Sequence, residues 1–375
     1  MRDGKMRAKL EDFLQEVCEK TITNNQYPVL TSSKSGLFLQ SDYFNKQVAS
    51  KDNTGYKIIR RGQFTYRAMS DTGKFFPNML ECADVGIVSP AYPVFEIIKQ
   101  DQIVPEYLNY YFKSNRFQNS ISTFAQGSTR TSVKFGKLKK VSIELPEIKK
   151  QYQIIRTLDL LRTIINNRKK EVLELDELIR ARFVEMFGNG HDGFCNTKKL
   201  GEFCKFQQGT QIPVEEQIEE QLEGYTRFLR IIDYTQAPQI PRYVSVKSRE
   251  IAEDSIVIVR YGATAGFVGH GYAGILANNL FEVVPDESIL SKDFLYLALK
   301  YGTFEQEVHD KAFGAAMPAL SFGMMNDIGV VTPNSTAQNG FVDFVKQVDK
   351  SKATVQKALD ETQLLFDSLM QQYFG

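Results

Sequence analysis

Charge of one sign, paired cysteines and long apolar runs are all missing from this chain. Its 46 Lys and Arg are met by 45 Asp and Glu, a formal charge of +1. Bulk electrostatics therefore offers nucleic acid no attraction, and any anion-binding surface must be local. The four cysteines, Cys18, Cys82, Cys195 and Cys204, share no paired spacing, which argues for reduced thiols rather than disulfides or zinc. No apolar run approaches the ~20 residues of a membrane helix, and the polar start MRDGKMRAKL is no signal peptide. A soluble, cytoplasmic chain without a membrane partner or bound metal is expected.

Catalytic motifs are missing too. There is no GxxxxGK[ST] phosphate loop, no HExxH metal pair and no nucleophile elbow. SPAYP at Ser89 to Pro93 superficially resembles the NPPY-type tetrapeptide of adenine methyltransferases, but lacks the amide or acid that would hold the amino group. GFVGHG at Gly266 is a glycine-rich turn without the helix and acidic residue of a dinucleotide site. His191, His270 and His309 stand in scattered contexts. No catalytic residue is nominated, and the chain reads as a non-enzyme.

What is present is a duplication. Residues 1–188 and 189–375 are two divergent copies of one module. Phe95, Glu96 and Ile97 answer Phe281, Glu282 and Val283 at a shift of 186; thereafter the shift is 187. GSTRTSVKFG (Gly127 to Gly136) answers GAAMPALSFG (Gly314 to Gly323), Pro146 answers Pro333, Gln151 answers Gln338, and FVEMFG ending at Gly188 answers MQQYFG ending at Gly375. The fronts are looser: KLEDF at Lys9 aligns with KLGEF at Lys199, and IIRRG at Ile58 with VIVRYG at Val257, at shifts of 190 and 200. Two copies are too few for a solenoid and imply a pseudo-twofold molecule.

Each copy divides into a mixed region and a helical tail. YKIIRR, ADVGIVSPAYPVFEI and KKVSIELP read as strands, and EYLNYYFKSNRFQNSIS from Glu106 as an amphipathic helix with Tyr107, Leu108, Tyr111 and Phe112 on one face. The second copy repeats the order with DSIVIVRYG, LFEVVP, the helix KDFLYLALKYGTFEQEVH and DIGVVTP. Interspersed strands and helices predict an α+β class for each mixed region.

The tails carry apolar residues at alternating three- and four-residue spacing. Leu158, Leu161, Ile165, Val172, Leu175 and Ile179 form one stripe, interrupted by Arg168 and Arg182. Val345, Val348, Val355, Leu359, Phe366 and Leu369 form the other, interrupted by Lys352 and Thr362. Helices of about 40 residues span roughly 60 Å, and two stripes of equal length bury each other most simply as an antiparallel coiled-coil pair. The expected domains are 1–146, a central helix over 147–188, 189–333, and a C-terminal helix over 334–375, with GNGHDG (Gly188 to Gly193) as the connector. Two similar domains on a fixed helical spacer suit duplex DNA, whose dimeric readers contact half-sites about 34 to 36 Å apart or a multiple of it.

The order KLGEF, VIVRYGATAGFVG, a helix, GAAMPALSFG, VVTP and a long heptad helix resembles the specificity subunit of type I restriction-modification enzymes, over essentially the full chain and in duplicate. The resemblance implies two target-recognition domains, each reading half of an asymmetric, gapped DNA sequence. It implies helices that act as spacer and docking surface for two methyltransferase (modification) subunits, with restriction motor-nuclease subunits joining for cleavage. It further implies no cofactor in this chain, S-adenosylmethionine in the methyltransferase subunits, and ATP and Mg in the restriction subunit. The first copy departs from the pattern at QFTYRAMS, after its RG pair.

Basic residues nominated for DNA are Lys57, Arg60, Arg61, Arg67 and Lys74, accompanied by Tyr56, Phe64 and Tyr66, and Arg130 and Lys134 before the last strand. The second copy offers Arg227, Arg230, Arg242 and Arg260, with Lys247 and Arg249 nearby. Arginine can bind guanine bidentately, while lysine mostly neutralises phosphate. The polar loops GSTRTS and TSSKSG offer backbone N–H groups. Two other classes stay open: a coiled-coil scaffold joining two protein-binding modules, and a self-contained DNA methyltransferase.

Overall fold

The computed structural model describes residues 6–43, 52–127, 130–188, 195–236, 239–312 and 319–375. The chain forms two compact units: Met1–Arg168 with Ala358–Gly375 (unit 1), and Lys169–Lys357 (unit 2). Two helices of 40 residues, Ile148–Phe187 and Ser335–Phe374, each contribute one half to each unit. Among the described residues no helix is long and apolar enough to cross a membrane.

In unit 1, Met6–Lys9 pairs antiparallel with Ser142–Leu145. A four-stranded antiparallel sheet runs Leu14–Val17, Val94–Ile97, Phe64–Thr65, Asn78–Met79. Three two-stranded pairs surround it: Leu30–Ser32 with Leu37–Leu39, Lys57–Arg60 with Val85–Val88, and Met69–Ser70 with Thr131–Ser132. The TSSKSG loop is thus the tip of a hairpin, closed by Ser33 N donating to Gly36 O at 2.9 Å. Aromatic rings fill the core: Phe64 stacks on Phe95 at 5.5 Å, and Phe112 meets both edge-on.

Unit 2 repeats the frame. Thr197–Lys199 pairs antiparallel with Gly329–Val331, and a sheet runs Cys204–Gln208, Leu280–Pro285, Ile256–Val259, Val268–Gly269. Arg242–Val244, Thr226–Leu229, Gly274–Leu276 and Glu250–Ile251 form a second four-stranded sheet containing one parallel pair, and in unit 1 a parallel bridge of Val29 with Ile87 joins the Leu30–Ser32 and Val85–Val88 pairs in the same order. The mixed regions are α+β in both units.

The repeat is most exact around two buried glutamines. Gln151 Oε1 accepts from Val104 N at 2.9 Å, while Nε2 donates to Gln102 O and Pro146 O, each at 2.9 Å. Gln338 does the same with Ser291 N (2.9 Å), Ile289 O (3.0 Å) and Pro333 O (2.9 Å). Every partner is displaced by 187 residues. Each amide ties the first turn of a long helix to its mixed region, satisfying backbone groups that burial would otherwise orphan.

Two readings of the sequence need correction. The helix expected from Glu106 is two helices, Pro105–Tyr111 and Asn115–Ser122, because Ser114 caps the second by accepting from Phe117 N at 3.2 Å. Its counterpart likewise divides at Gly302 into Lys292–Tyr301 and Phe304–Ala312. The alignment of IIRRG with VIVRYG, which sets Ile58 against Ile258 at a shift of 200, is also wrong. Ile258 lies opposite Phe281 as Phe64 lies opposite Phe95, whereas Ile58 pairs with Ile87 in a different sheet. Arg260 O accepts from Leu320 N, and Ala68 O from Val133 N, both at 2.9 Å. The counterpart of Arg260 is therefore Ala68, beside Arg67, and unit 1 carries two extra residues between strand and bond. Apolar alternation fits either register, so periodicity could not separate them.

The long helices pack on each other within each unit. Leu158, Leu161, Ile165, Ile179, Val345, Val348 and Leu359 are buried, while Val172, Leu175, Val355, Phe366 and Leu369 are half-buried. In unit 2, Phe183 meets Phe341 at 5.4 Å, and Lys352 Nζ lies 2.6 Å from Asp176. In unit 1, Arg168 donates to Ala358 O and Thr362 Oγ1, and Phe374 packs on Tyr107 at 5.0 Å. In unit 2 rising numbers on one helix meet falling numbers on the other, so these halves run antiparallel. Arg168, Lys352 and Thr362, which interrupt the apolar stripe, carry these polar cross-contacts. Arg182 instead pairs with Glu185 on its own helix and lies over the Phe344 ring. The connector beyond Gly188 and residues 314–318 of GAAMPALSFG lie outside the described residues.

Candidate nucleic-acid interface

In unit 1 the fold divides the basic cluster of residues 57–74 into two groups. Lys57 and Arg60 stand on the strand Lys57–Arg60, where Lys57 Nζ lies 3.5 Å from Glu16, and Arg60 Nη2 donates to both Glu19 oxygens at 2.8 and 3.0 Å. Arg61 follows, donating to Asp84 at 2.8 Å and to Glu81 O at 2.6 Å. Arg67 and Lys74, both exposed, belong to the other group. The pairing of Met69–Ser70 with Thr131–Ser132 brings their segment beside Arg130 and Lys134. Arg130 Nε donates to Asp71 at 2.7 Å, with both side chains more than half exposed; Lys134 is exposed.

Unit 2 gathers Arg227, Arg230 and Arg242 at the sheet edge where Thr226–Leu229 meets Arg242–Val244. Asp233, whose side chain is 1% exposed, organises them. It accepts from Arg230 N at 2.8 Å and from the Arg230 guanidinium at 3.0 and 3.3 Å, with Arg227 4.0 Å away. Arg227 lies over the Tyr272 ring at 4.2 Å, and its Nε is buried without a hydrogen-bond partner. Arg242 pairs with Glu219 at 2.7 Å, and Arg249 pairs with Glu282. Arg260 stands apart, donating to Leu320 O at 3.2 Å between the rings of Tyr261 and Phe322.

These pairings divide the nominated residues by what holds them. An exposed ion pair contributes about 0–1 kcal/mol and can exchange its carboxylate for a phosphate. Arg60, Arg61 and Arg130 are of this kind. A guanidinium on a buried carboxylate is fixed, since removing one partner strands the other charge; Arg230 is of that kind. Burial likewise pushes the Cys204 thiol up to about 12, so that cysteine serves packing.

SPAYP is a turn joining two strands, with Tyr92 N donating to Ser89 O at 2.9 Å. Gly269 of GFVGHG is required by packing, because a Cβ there would meet the Tyr234 ring at 2.6 Å. That loop lines an open groove of about 800 Å3 with Tyr234, Tyr296, Lys300 and His309. Burial, reinforced by Lys300, lowers the His270 pKa. Among the described residues no group of three or more His, Cys, Asp or Glu is placed to hold a metal ion.

The sequence reading singled out Lys134 and passed over Lys137, Lys139 and Lys140. Their signal was available: residues 107–143 contain no Asp or Glu.

The comparisons agree with the duplicated frame. The family of the type I restriction modification DNA specificity domain matches residues 11–175 and again 195–362. The MjaVIII type I restriction enzyme specificity subunit of Methanocaldococcus jannaschii is 22% identical over 194 residues, 51% of this chain and 44% of that protein. The MjaIX specificity subunit of the same organism is 23% identical over 365 residues, 85% of this chain and 82% of that protein. The S subunit of a type I restriction-modification system from M. genitalium superposes with a TM-score of 0.56 at 17% identity, over 100% of this chain and 97% of that one. A chain solved in work on complex assembly and conformational transition of the type I R-M system gives 0.61 at 16% identity, over 99% and 97%. At such identities the solved structures establish the fold alone.

Fold and family together define a DNA-specificity protein of the restriction-modification class. The chain belongs to the type I restriction modification DNA specificity family and carries its domain twice. The role of that family is DNA target recognition, and its members select the target without catalysing a reaction.

Proposed function

We propose that this chain reads one asymmetric, gapped DNA sequence, with the mixed region of unit 1 on one half-site and that of unit 2 on the other. The observation that carries this is a repeated frame bearing different surfaces. The glutamine anchors recur at a constant 187 residues, while the arginines differ, with Arg60 on exposed Glu19 in unit 1 and Arg230 on buried Asp233 in unit 2. Base contacts are assigned to Arg60, Arg61, Arg67 and Arg130 in unit 1 and to Arg227, Arg242 and Arg260 in unit 2. Lys57, Lys74 and Lys134 are assigned to phosphates. Arg230 acts by holding Asp233 and so presenting Arg227. The domain limits 1–146, 147–188, 189–333 and 334–375 remain the working division, with the long helices setting half-site separation.

The long helices also offer a docking surface for two methyltransferase subunits. Tyr152, Leu160, Leu364 and Leu365 in unit 1, and Leu173, Leu178 and Val184 in unit 2, are apolar side chains exposed on these helices. Seven such residues on otherwise polar helix faces suit a protein partner. S-adenosylmethionine would then be held by those subunits, and ATP and Mg by restriction subunits, in the cytoplasm. Exchange of residues 1–146 for the same region of a relative tests the assignment. The recognised sequence should change in one half only; a change in both halves, or in neither, contradicts it.

A further inference from the structure

The two units carry opposite charge. Unit 1 holds 26 Lys and Arg against 19 Asp and Glu, 26 minus 19 giving +7; unit 2 holds 20 against 26, giving −6. A near-neutral chain is thus a cationic unit joined to an anionic one.

The difference concentrates at one element that both units possess. In unit 1 the short helix Phe135–Leu138 and its flanks read KFGKLKK, Lys134 to Lys140. In unit 2 the helix Phe322–Asn326 and its flanks read SFGMMND, Ser321 to Asp327. Lys134, Lys137, Lys139 and Lys140 thus stand where unit 2 has Ser321, Met324, Asn326 and Asp327. None of the four lysines makes an ion pair among the described residues; Lys139 lies over the Phe135 ring instead.

Two paired positions show that the fold itself does not call for these lysines. In unit 2, Lys199 and Asp327 join at 2.9 Å, next to the pairing of Lys199 with Gly329. In unit 1, with Lys9 paired to Ser142 in the same register, the corresponding positions are Lys9 and Lys140, both cations. Lys9 turns to Glu11 at 3.3 Å, and Lys140 is left exposed. Likewise Ser321 caps its helix by accepting from Met324 N at 3.1 Å, while Lys134, at the equivalent place, makes no side-chain cap. Unit 1 has exchanged a cap and a salt bridge for uncompensated positive charge. The acid nearest in the chain, Glu144, is held by Arg116 at 2.7 Å; Glu11, whose N donates to Lys139 O at 2.8 Å, is held by Lys9, and Asp12 accepts from Lys9 N.

We propose that Lys134, Lys137, Lys139 and Lys140 form a sequence-independent phosphate-backbone anchor confined to unit 1, with no equivalent in unit 2. The inference rests on the DNA-reading role proposed above. Lys134 and Lys140 are exposed, Lys137 and Lys139 half-buried, and lysines without carboxylate partners neutralise phosphates and release the duplex's condensed cations whatever the base sequence. Unit 1 then holds duplex DNA by charge, and unit 2 adds affinity only when its half-site is correct.

The test is binding of the full chain to a labelled duplex of arbitrary sequence, titrated between about 50 and 200 mM salt. Replacing Lys134, Lys137 and Lys140 together with Ala should lower affinity at least about ten-fold at the middle of that range and reduce the log–log salt slope by about 2 to 3, near 0.9 per lost phosphate contact. Replacing the same three with Arg should leave the slope unchanged. Replacing exposed Lys198, Lys205 and Lys350 of unit 2 with Ala should shift it by less than about 1. Equal losses from the two Ala triples, or an unchanged slope in the unit 1 triple, overturn the anchor while leaving DNA reading intact. An unmodified chain that binds no duplex, even at the lowest salt, overturns DNA reading and the anchor with it.

Discussion

Arg60 of unit 1 and Arg230 of unit 2 each grip a carboxylate with two hydrogen bonds, yet the carboxylates differ. Glu19 is nearly half exposed, whereas the Asp233 side chain is 1% exposed. Water screens the first pair and leaves its guanidinium free to exchange partners; the second is part of the architecture. One frame has thus been elaborated into a unit whose cations are largely available and a unit whose cations are largely committed. Sequence-level charge does not separate those cases, because what counts is the burial of the partner.

The comparison can be broken most forcefully at the helix seam. Phe183 of unit 2 packs against Phe187, Phe294 and Phe341, and Leu158 of unit 1 is fully buried. Phe183→Ala should cost about 3–5 kcal/mol and Leu158→Ala about 2–5 kcal/mol, read as a lowered denaturation midpoint. A change under 1 kcal/mol in either would show that the helix halves do not depend on this packing. Next comes Arg230→Ala, which strands the Asp233 carboxylate and should lose about 3–5 kcal/mol of stability. If Arg230→Ala is as stable as the native chain but weaker on DNA, Arg230 is itself a contact residue.

Gln151→Leu and Gln338→Leu should destabilise by similar amounts, about 1–3 kcal/mol each, because each strands a buried N–H and two carbonyls. Clearly unequal losses in thermal melts would mean that the two anchors have diverged in strength despite matched geometry. The smallest stability effect belongs to Arg60→Ala, about 0–1 kcal/mol. The same variant should weaken cognate DNA binding by about 1–3 kcal/mol if the contact is to a base. Unchanged binding would remove Arg60 from the interface and leave Arg67 and Arg130 as the arginines of unit 1.

Much of the frame is legible in the sequence alone. Pro146 and Pro333, Gln151 and Gln338, and the two heptad stripes stand at constant spacing, because packing on a long helix tolerates few insertions. The fronts could not be registered: Ile58 and Ile258 both sit in apolar strands, and only the partner strand, Val85–Val88 or Leu280–Pro285, distinguishes them. The helix breaks at Ser114 and Gly302 were visible as a cap and a glycine, but the apolar periodicity runs through both. For the site, the residue types were legible and their states were not. Glu19 lies 41 residues from Arg60, and Asp71 59 residues from Arg130, so no local window shows that they pair. The lysines at 137, 139 and 140 were hidden for a different reason. Their meaning appears only when Asp327 and Ser321 are seen at the same places in the other copy.

One chain is proposed to read two unlike half-sites. Mapping methylated bases across the genome of cells with and without this chain, its methyltransferase partners being present in both, tests it most directly. A single gapped, asymmetric motif should be modified only when the chain is present. A continuous motif, a palindromic one, or a methylation pattern that does not depend on the chain would contradict it.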